Sequence, residues 1–380
     1  MTGSPTGNLA PMGGSPPATR QDERIRVLIA DGSPTPSTQL IAVLGDDPQL
    51  EIVGLARDGA ASMRAAGRLR PDVIAMALEL PIMDGLEATR QIMQQHPTPI
   101  VVVTATTSPR DSELVLAAME AGALAVVARP TVSPAPDQAA QELVRAVKSV
   151  AGMKLVRRWG PRAATPAAAR DRVAARIPQP SRPEIVAIGA STGGPQVLQT
   201  ILTQLPASFP LPVLVVQHIT AGFAAGLVEW LRPQCALPVS LAQPGLALPR
   251  PGIFVAPTGQ HLVVQGRTLG TSDAPPVSGH RPSATVLLRS VARAYGRRAV
   301  GVLLTGMGDD GAAGLVDVKR AGGFTIAQDE ATSVVFGMPA AAIALGAVDR
   351  ILPARAIPAA LVDLLASGGP ERGEAVDGGG

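Results

Sequence analysis

The feature that most constrains the fold is a repeated alternation of short apolar runs with segments of helical length. Between residues 24 and 150 the intervening segments carry apolar residues three to four positions apart, as amphipathic helices do. Uninterrupted apolar runs of strand length are typical of parallel strands buried on both faces. The pattern therefore predicts an α/β domain with a five-stranded parallel sheet covered by helices on both faces. The five runs are 27–30, 52–56, 73–76, 100–104 and 125–127.

A second alternating region begins at Glu184 and predicts a second, larger doubly wound α/β domain. Its clearest strands are 185–188, 213–216, 253–256, 300–304 and 324–327. The predicted organisation is a disordered tail over 1–22, a first domain over 23–150, a linker rich in Pro, Ala and Arg over 151–183, a second domain over 184–367, and a disordered tail over 368–380.

Composition excludes several classes of protein. No apolar stretch reaches the ~20 residues of a membrane span, and the N-terminus lacks the basic and apolar regions of a signal peptide. A single cysteine, Cys235, excludes a disulfide framework. With a net charge of +3, dispersed arginines and 2% aromatic residues, the chain lacks the footprint of a nucleic-acid-binding protein. These observations favour a cytoplasmic protein without membrane insertion.

Three strands of the second region are followed by residues that can carry chemistry. The strand at 185–188 leads into GASTGG, where Ser191 stands in a G-x-S-x-G pattern before a helix. His218 follows the strand at 213–216, and Asp310 follows the strand at 300–304. Carboxyl ends of parallel strands share one edge of a sheet, so the three side chains can meet as nucleophile, base and orienting acid. Taken singly, each has a plain structural role: a helix cap for Ser191 or Asp310, and a packed side chain for His218.

The segment Gly306-x-Gly308-x-x-Gly311 also fits a dinucleotide-binding loop between a strand and a helix, with Asp329 placed as the ribose-binding acid. Asp309 and Asp310 within that loop argue against it, because their charges would face a pyrophosphate. A dinucleotide-binding oxidoreductase therefore stays a minor alternative.

At the level of motifs, residues 184–365 resemble the chemotaxis response-regulator methylesterases, the protein-glutamate methylesterase/protein-glutamine glutaminase family. The motifs are IVAIGASTGGP, VLVVQHITAGF, SGHRPSATVLLRSVA, VGVLLTGMGDDGAAGL and FTIAQDEATSVVFGMP.

The resemblance implies that Ser191, His218 and Asp310 are catalytic. It also implies that the backbone N–H of Met307 is an oxyanion donor, and that Thr192, which follows the nucleophile, is a second one. Arg281 is implied to contact the substrate. A plain structural turn is the alternative for Arg281. The implied reaction removes methyl esters from glutamates of the cytoplasmic domains of methyl-accepting chemoreceptors and deamidates their glutamines. It requires no metal or cofactor. A non-catalytic receptor-binding or scaffolding protein is the alternative.

The first domain resembles a response-regulator receiver (flavodoxin-like) with a degenerate phosphorylation site. Asp31 is present, but its expected acidic partner is Gly32, and the phosphoacceptor position is Ala77. Thr104 is retained, and Arg129 stands where the family has lysine. The sequence therefore predicts a pseudo-receiver without a phosphorylation site, which covers the esterase face or docks a partner such as the chemotaxis kinase.

Overall fold

The computed structural model describes residues 24–104, 109–130, 138–151, 182–219 and 223–366. The predicted tails at 1–22 and 368–380 lie outside these residues. So does the predicted linker at 151–183, apart from residues 151, 182 and 183.

The N-terminal unit is the predicted five-stranded parallel sheet with helices on both faces, in the strand order β2-β1-β3-β4-β5. Strands β3 and β4 are buried at every position, as their apolar runs predicted. Helices α2 and α3 begin where Asp58 and Asp84 accept hydrogen bonds from the N–H of Ala61 and Glu87. The elements are β1 (Ile25–Ala30), α1 (Pro34–Gly45), β2 (Leu50–Ala56), α2 (Gly59–Leu69), β3 (Val73–Ala77), α3 (Gly85–Gln95), β4 (Ile100–Thr104), α4 (Pro109–Glu120), β5 (Ala125–Ala128) and α5 (Gln138–Val150).

The C-terminal unit is built on a seven-stranded parallel sheet in the order β14-β13-β12-β6-β7-β9-β8. The predicted fold class, two α/β domains with parallel sheets, is therefore confirmed. The elements are β6 (Ile185–Ala190), α6 (Gly194–Leu202), β7 (Pro212–Gln217), α7 (Phe223–Leu231), β8 (Val239–Leu241), β9 (Gly252–Val255), β10 (His261–Gln265), β11 (Thr268–Ser272), α8 (Ala284–Tyr295), β12 (Ala299–Leu303), α9 (Ala312–Arg320), β13 (Phe324–Gln328), α10 (Met338–Ala344), β14 (Arg350–Leu352) and α11 (Ile357–Ala366).

Several elements were not predicted from the sequence. The edge strands β8 and β14 have three residues each, too few to show a period. Strands β10 and β11 form an antiparallel hairpin outside the main sheet.

Strands β12, β6 and β7 are neighbours at the centre of the larger sheet. Leu303 pairs with Gly189, and Gly189 pairs with Val216. All three strands therefore end at the same edge, and the loops that follow them lie side by side.

The two units pack against each other through α4 and α7. Phe223, at the start of α7, is 1% exposed and belongs to the apolar cluster of the N-terminal unit. Polar contacts add to this packing. Trp230 Nε1 donates to Glu120 Oε1 at 2.6 Å, and Gln196 Nε2 donates to the carbonyls of Met119 and Ala123 at 2.9 and 3.1 Å.

No helix in the described residues has both the length and the apolar character needed to span a bilayer.

Candidate active site

His218 and Asp310 form a buried hydrogen-bonded pair at the carboxyl edge of the sheet. His218 follows β7, Asp310 lies in the loop between β12 and α9, and Nε2 of the ring is 2.8 Å from Asp310 Oδ2. The side chains are 7% and 1% exposed. Since an ionised carboxylate only accepts, Nε2 carries the proton of this bond. The other ring nitrogen, Nδ1, is buried without a hydrogen-bond partner among the described residues, and in this tautomer it is a free acceptor.

The carboxylate of Asp310 is held by the N-terminus of α8. Ala284 N–H donates to Oδ2 at 2.7 Å, and Thr285 N–H donates to Oδ1 at 3.1 Å. The Ser283 hydroxyl donates to Oδ1 at 2.6 Å. Burial by itself would raise the pKa of Asp310, but the bonds from His218, Ser283 and Thr285 outweigh it and hold that pKa well below its usual range. Asp310 is therefore a charged and rigidly held acceptor for the imidazole.

Ser191 lies directly after β6, beside this pair. Its N–H donates to the carbonyl of Thr305 at 3.0 Å, which joins the loops after β6 and β12. A Cβ at Gly306 would lie 2.7 Å from Ser191 Cβ, so a glycine is needed for the two loops to approach this closely. Within the described part of the chain, Ser191 Oγ makes no hydrogen bond with His218. The conformation therefore brings the three residues to one edge and joins two of them.

Two buried polar side chains that the sequence did not single out connect the loops of the site. Gln217 Nε2 donates to the carbonyls of Ser191 and His218, both at 2.8 Å. Thr305 Oγ1 donates to the Thr192 carbonyl at 2.9 Å. Their positions at the ends of strands were the only feature of the sequence that pointed to the site, because glutamine and threonine do not by themselves indicate catalysis.

The two oxyanion candidates have free backbone donors. The N–H groups of Thr192 and Met307 make no hydrogen bond with any described residue. Thr192 precedes α6, and Met307 lies in the loop after β12, with 43% of its surface exposed. Unpaired backbone N–H groups can bind a developing negative charge, and for Thr192 the start of α6 adds a favourable helix dipole.

His280 is a second imidazole at the site, and its role was missed in the sequence. Its ring stacks on that of His218 with centroids 3.8 Å apart and planes 10° apart. Burial lowers the pKa of His280 to about 4, and the charges of His218 and Arg145 act in the same direction. The motif His280-Arg281-Pro282-Ser283 was the signal for this segment, but it directed attention to Arg281.

Other predicted residues are placed as follows. The guanidinium of Arg281 donates to the carbonyl of Asp273 at 3.1 Å and is exposed. His261 is fully buried and accepts from the Ser283 N–H through Nδ1 at 3.1 Å. It therefore supports the residue that holds Asp310.

In the loop from Gly306 to Gly311, the side chain of Asp310 takes the space that a bound dinucleotide would need. Asp310 fills the space at the α8 N-terminus, and Asp329, the proposed ribose ligand, accepts from the Thr332 N–H at 3.0 Å. Both acids thus have structural partners, which disfavours dinucleotide binding.

The N-terminal unit lies against the Ser191 loop. The Gly193 N–H donates to the Leu124 carbonyl at 3.3 Å. The guanidinium of Arg145, in α5, lies close to Gly279, the residue before His280. A Cβ added to Gly279 would be 3.8 Å from Nη1 of Arg145. The entrance to the pair is therefore bordered by residues of both units.

The residues predicted to form a degenerate receiver site include an internal ion pair. Arg129 bonds to Asp31 at 2.5 Å, and Asp31 is 2% exposed. A Cβ at Gly32 would lie 2.7 Å from Pro81 Cδ, so an acidic side chain there would need the loop to shift. Ala77, at the end of β3, is buried and carries no nucleophile.

Comparison with known proteins gives two family matches. The CheB methylesterase family matches residues 186–361, and the response regulator receiver domain family matches residues 27–138. A protein-glutamate methylesterase/protein-glutamine glutaminase from Myxococcus xanthus is 46% identical, over 84% of this chain and 91% of its own length. One from Syntrophus aciditrophicus is 45% identical, over 91% of this chain and 100% of its own length.

Two solved structures from Thermotoga maritima each match one unit. The CheB methylesterase catalytic domain is 38% identical, covers 48% of this chain and 98% of its own, and has a TM-score of 0.47. The response regulator domain of CheB is 30% identical, covers 35% of this chain and 99% of its own, and has a TM-score of 0.32.

Proposed function

This chain belongs to the protein-glutamate methylesterase/protein-glutamine glutaminase family, and from that membership we propose that it hydrolyses methyl-glutamate esters of chemoreceptors with a Ser-His-Asp mechanism. The same site deamidates receptor glutamines. The substrate is the cytoplasmic domain of a methyl-accepting receptor, so the protein acts in the cytoplasm.

In the first half of the reaction, Ser191 Oγ attacks the ester carbonyl and His218 Nδ1 takes its proton. Asp310 accepts the Nε2–H bond and stabilises the imidazolium that forms. The N–H groups of Thr192 and Met307 bind the oxyanion. The C–O bond to the methoxy group then breaks, and methanol leaves with the proton returned by His218.

In the second half, His218 Nδ1 takes a proton from water, whose oxygen attacks the acyl-enzyme. Release of Ser191 with that proton leaves a free glutamate side chain. With glutamine as substrate the leaving group is ammonia, and the other steps are the same. Arg281, exposed at the rim, contacts the acidic surface of the receptor.

One observation carries this proposal: His218 is bonded to a buried, charged Asp310 through Nε2, while its buried Nδ1 has no hydrogen-bond partner among the described residues. A base needs this combination of a held ring and a vacant acceptor atom. Ser191 must rotate into hydrogen-bond distance, which is common on substrate binding because such bonds tighten in the Michaelis complex.

The test is methanol release from methylated receptor by Ser191→Ala in the full chain, with Ser240→Ala on the edge strand β8 as the matched control. Loss of release in Ser191→Ala alone is expected. Undiminished turnover by Ser191→Ala would refute the assignment. Receptor binding without hydrolysis by the unaltered chain would favour the scaffolding alternative.

We further propose that the N-terminal unit regulates this site without aspartyl phosphorylation. Ala77 offers no carboxylate to phosphorylate. Asp31, the acid retained from the receiver family's metal site, already forms an ion pair with Arg129. The Gly193 bond to Leu124 and the approach of Arg145 to Gly279 support a covering role, because a receptor helix would have to enter beside them. Docking of the chemotaxis kinase to this unit stays a prediction.

A further inference from the structure

We propose that His280 is a positioning residue for the general base: its ring lies flat on His218, fixes the ring plane, and stabilises the imidazolium formed during the reaction. This inference rests on the proposed function, in which His218 takes the serine proton. It adds a fourth side chain to the reaction, one that touches the base and not the reacting atoms.

The first support is the contact itself. Centroids 3.8 Å apart and planes 10° apart put the two imidazoles in face-to-face van der Waals contact. Asp310 fixes which edge of the His218 ring faces the acid, through the bond to Nε2. A hydrogen bond to one edge leaves the ring free to tilt, and a flat neighbour removes that freedom. The two contacts together orient Nδ1.

The second support is the way the chain presents His280. Val277 and His280 exchange two backbone hydrogen bonds, of 3.1 and 2.9 Å. The two residues between them, Ser278 and Gly279, have φ of 50° and 77°. Positive φ at both central positions defines the tight turn that joins twisted antiparallel chains, and its geometry leaves little freedom at the flanking residue.

The third support is that the same segment holds the acid. Three residues after His280, Ser283 donates to Asp310 and begins α8, whose N–H groups bind that carboxylate. One short stretch of chain therefore fixes both neighbours of the His218 ring. A displacement of the stacked ring and a displacement of the acid are mechanically linked.

The charge state of His280 suits this role. The charged or titratable groups around it are His218, Asp310 and Asp309 from the C-terminal unit and Arg145 from the N-terminal unit. Desolvation, assisted by the positive charge of Arg145, keeps the ring neutral at pH 7. A neutral aromatic face over an imidazolium is attractive, whereas two imidazolium rings would repel each other.

The experiment compares His280→Ala and His280→Phe with the unaltered full chain. Phenylalanine keeps a flat, uncharged ring, whereas alanine removes it. We expect kcat to fall about 10- to 30-fold in His280→Ala, because the variant loses a desolvated aromatic contact with the imidazolium. KM stays within about twofold. His280→Phe restores most of kcat. Full kcat in His280→Ala, or a loss that His280→Phe does not rescue, overturns the proposal.

A second readout is independent of activity. The chain has four histidines, so the ring-proton NMR signals of histidine-labelled protein can be assigned by single substitutions. His96→Ala, in the N-terminal unit, is the control. We expect the His218 signals to lose the shielding of the stacked ring in His280→Ala and to keep it in His280→Phe. Unchanged His218 signals in His280→Ala would also overturn the proposal. A failure of the proposed function appears separately, as activity that survives in Ser191→Ala.

Discussion

Asp310 binds His218 through Nε2 at 2.8 Å, so Nδ1 of the ring is the atom left to take a proton. The acid reaches this position because two backbone N–H groups at the start of α8 bind the same carboxylate. The orientation of the proposed base is thus set by a helix that contributes no side chain to the proposed reaction.

Asp310→Asn is expected to lower kcat about 10³- to 10⁴-fold, because an amide cannot stabilise the imidazolium or hold its tautomer. The new NH₂ group would also face N–H donors, so the free energy of unfolding should fall by about 2 kcal/mol. Methanol release and urea denaturation measure the two effects. Asp309→Asn, an exposed neighbour, is the control, and equal losses in both variants would contradict the assignment.

Loosening the contact between the units should raise activity. In Gln196→Ala/Trp230→Phe, three hydrogen bonds to the N-terminal unit are lost. If each side chain contributes about 1 kcal/mol to the contact between the units, the fraction of molecules in which the N-terminal unit leaves the site uncovered should rise at least about tenfold. Initial rates on methylated receptor measure this. Gln199→Ala is the control, since Gln199 bonds to Gln234 within the C-terminal unit. Unaltered rates in the double variant would mean that the N-terminal unit does not restrict the site.

Phosphodonors should leave the protein unchanged. Incubation with acetyl phosphate and Mg²⁺ is expected to add no phosphoryl group, by intact mass, and to leave the rate of methanol release as it was. The reason is that β3 ends in Ala77 and that Arg129 neutralises Asp31. Ala77→Asp should also stay unmodified, because Gly32 supplies no second acid for the metal. A phosphorylated and more active unaltered chain would contradict the prediction.

Stability should depend on pH through His280. Its pKa is lowered to about 4 in the folded protein, against about 6.5 in the unfolded chain. Between these values the unfolded chain binds more protons, so this contribution to stability is complete above about pH 6.5 and is lost as pH falls toward 4. Asp310, whose pKa is also lowered, loses its contribution only below its unfolded value near 4.

Relative to His280→Phe, the unaltered chain should therefore lose about 2 kcal/mol of unfolding free energy between pH 7 and pH 4.5, a value reduced for partial solvent screening. Urea denaturation at a series of pH values measures the difference. A pH-independent difference between the two proteins would show that His280 does not titrate in this way.

Much of the fold was predictable because it depends on local patterns. Buried parallel strands need apolar residues on both faces, so runs such as 100–104 identify them without any knowledge of their neighbours. Edge strands such as β14 escape prediction because three residues carry no period.

The candidate site divides in the same way. The sequence predicts that parallel strands precede Ser191, His218 and Asp310. In the structure these strands, β6, β7 and β12, are adjacent, and their loops therefore lie together. The bond between His218 and Asp310 joins residues 92 positions apart. The stacking of His280 on His218 and the hold of α8 on Asp310 likewise join separate segments of the chain. No local pattern encodes such contacts.

Residue type and spacing are enough to predict the two α/β units, the chemistry available at the strand ends and a receiver-like domain with Ala77 at the phosphoacceptor position. Packing sets which imidazole nitrogen is free, which second ring lies on His218, and where the N-terminal unit lies. Those properties depend on directions and distances between side chains, which arise only when the elements pack.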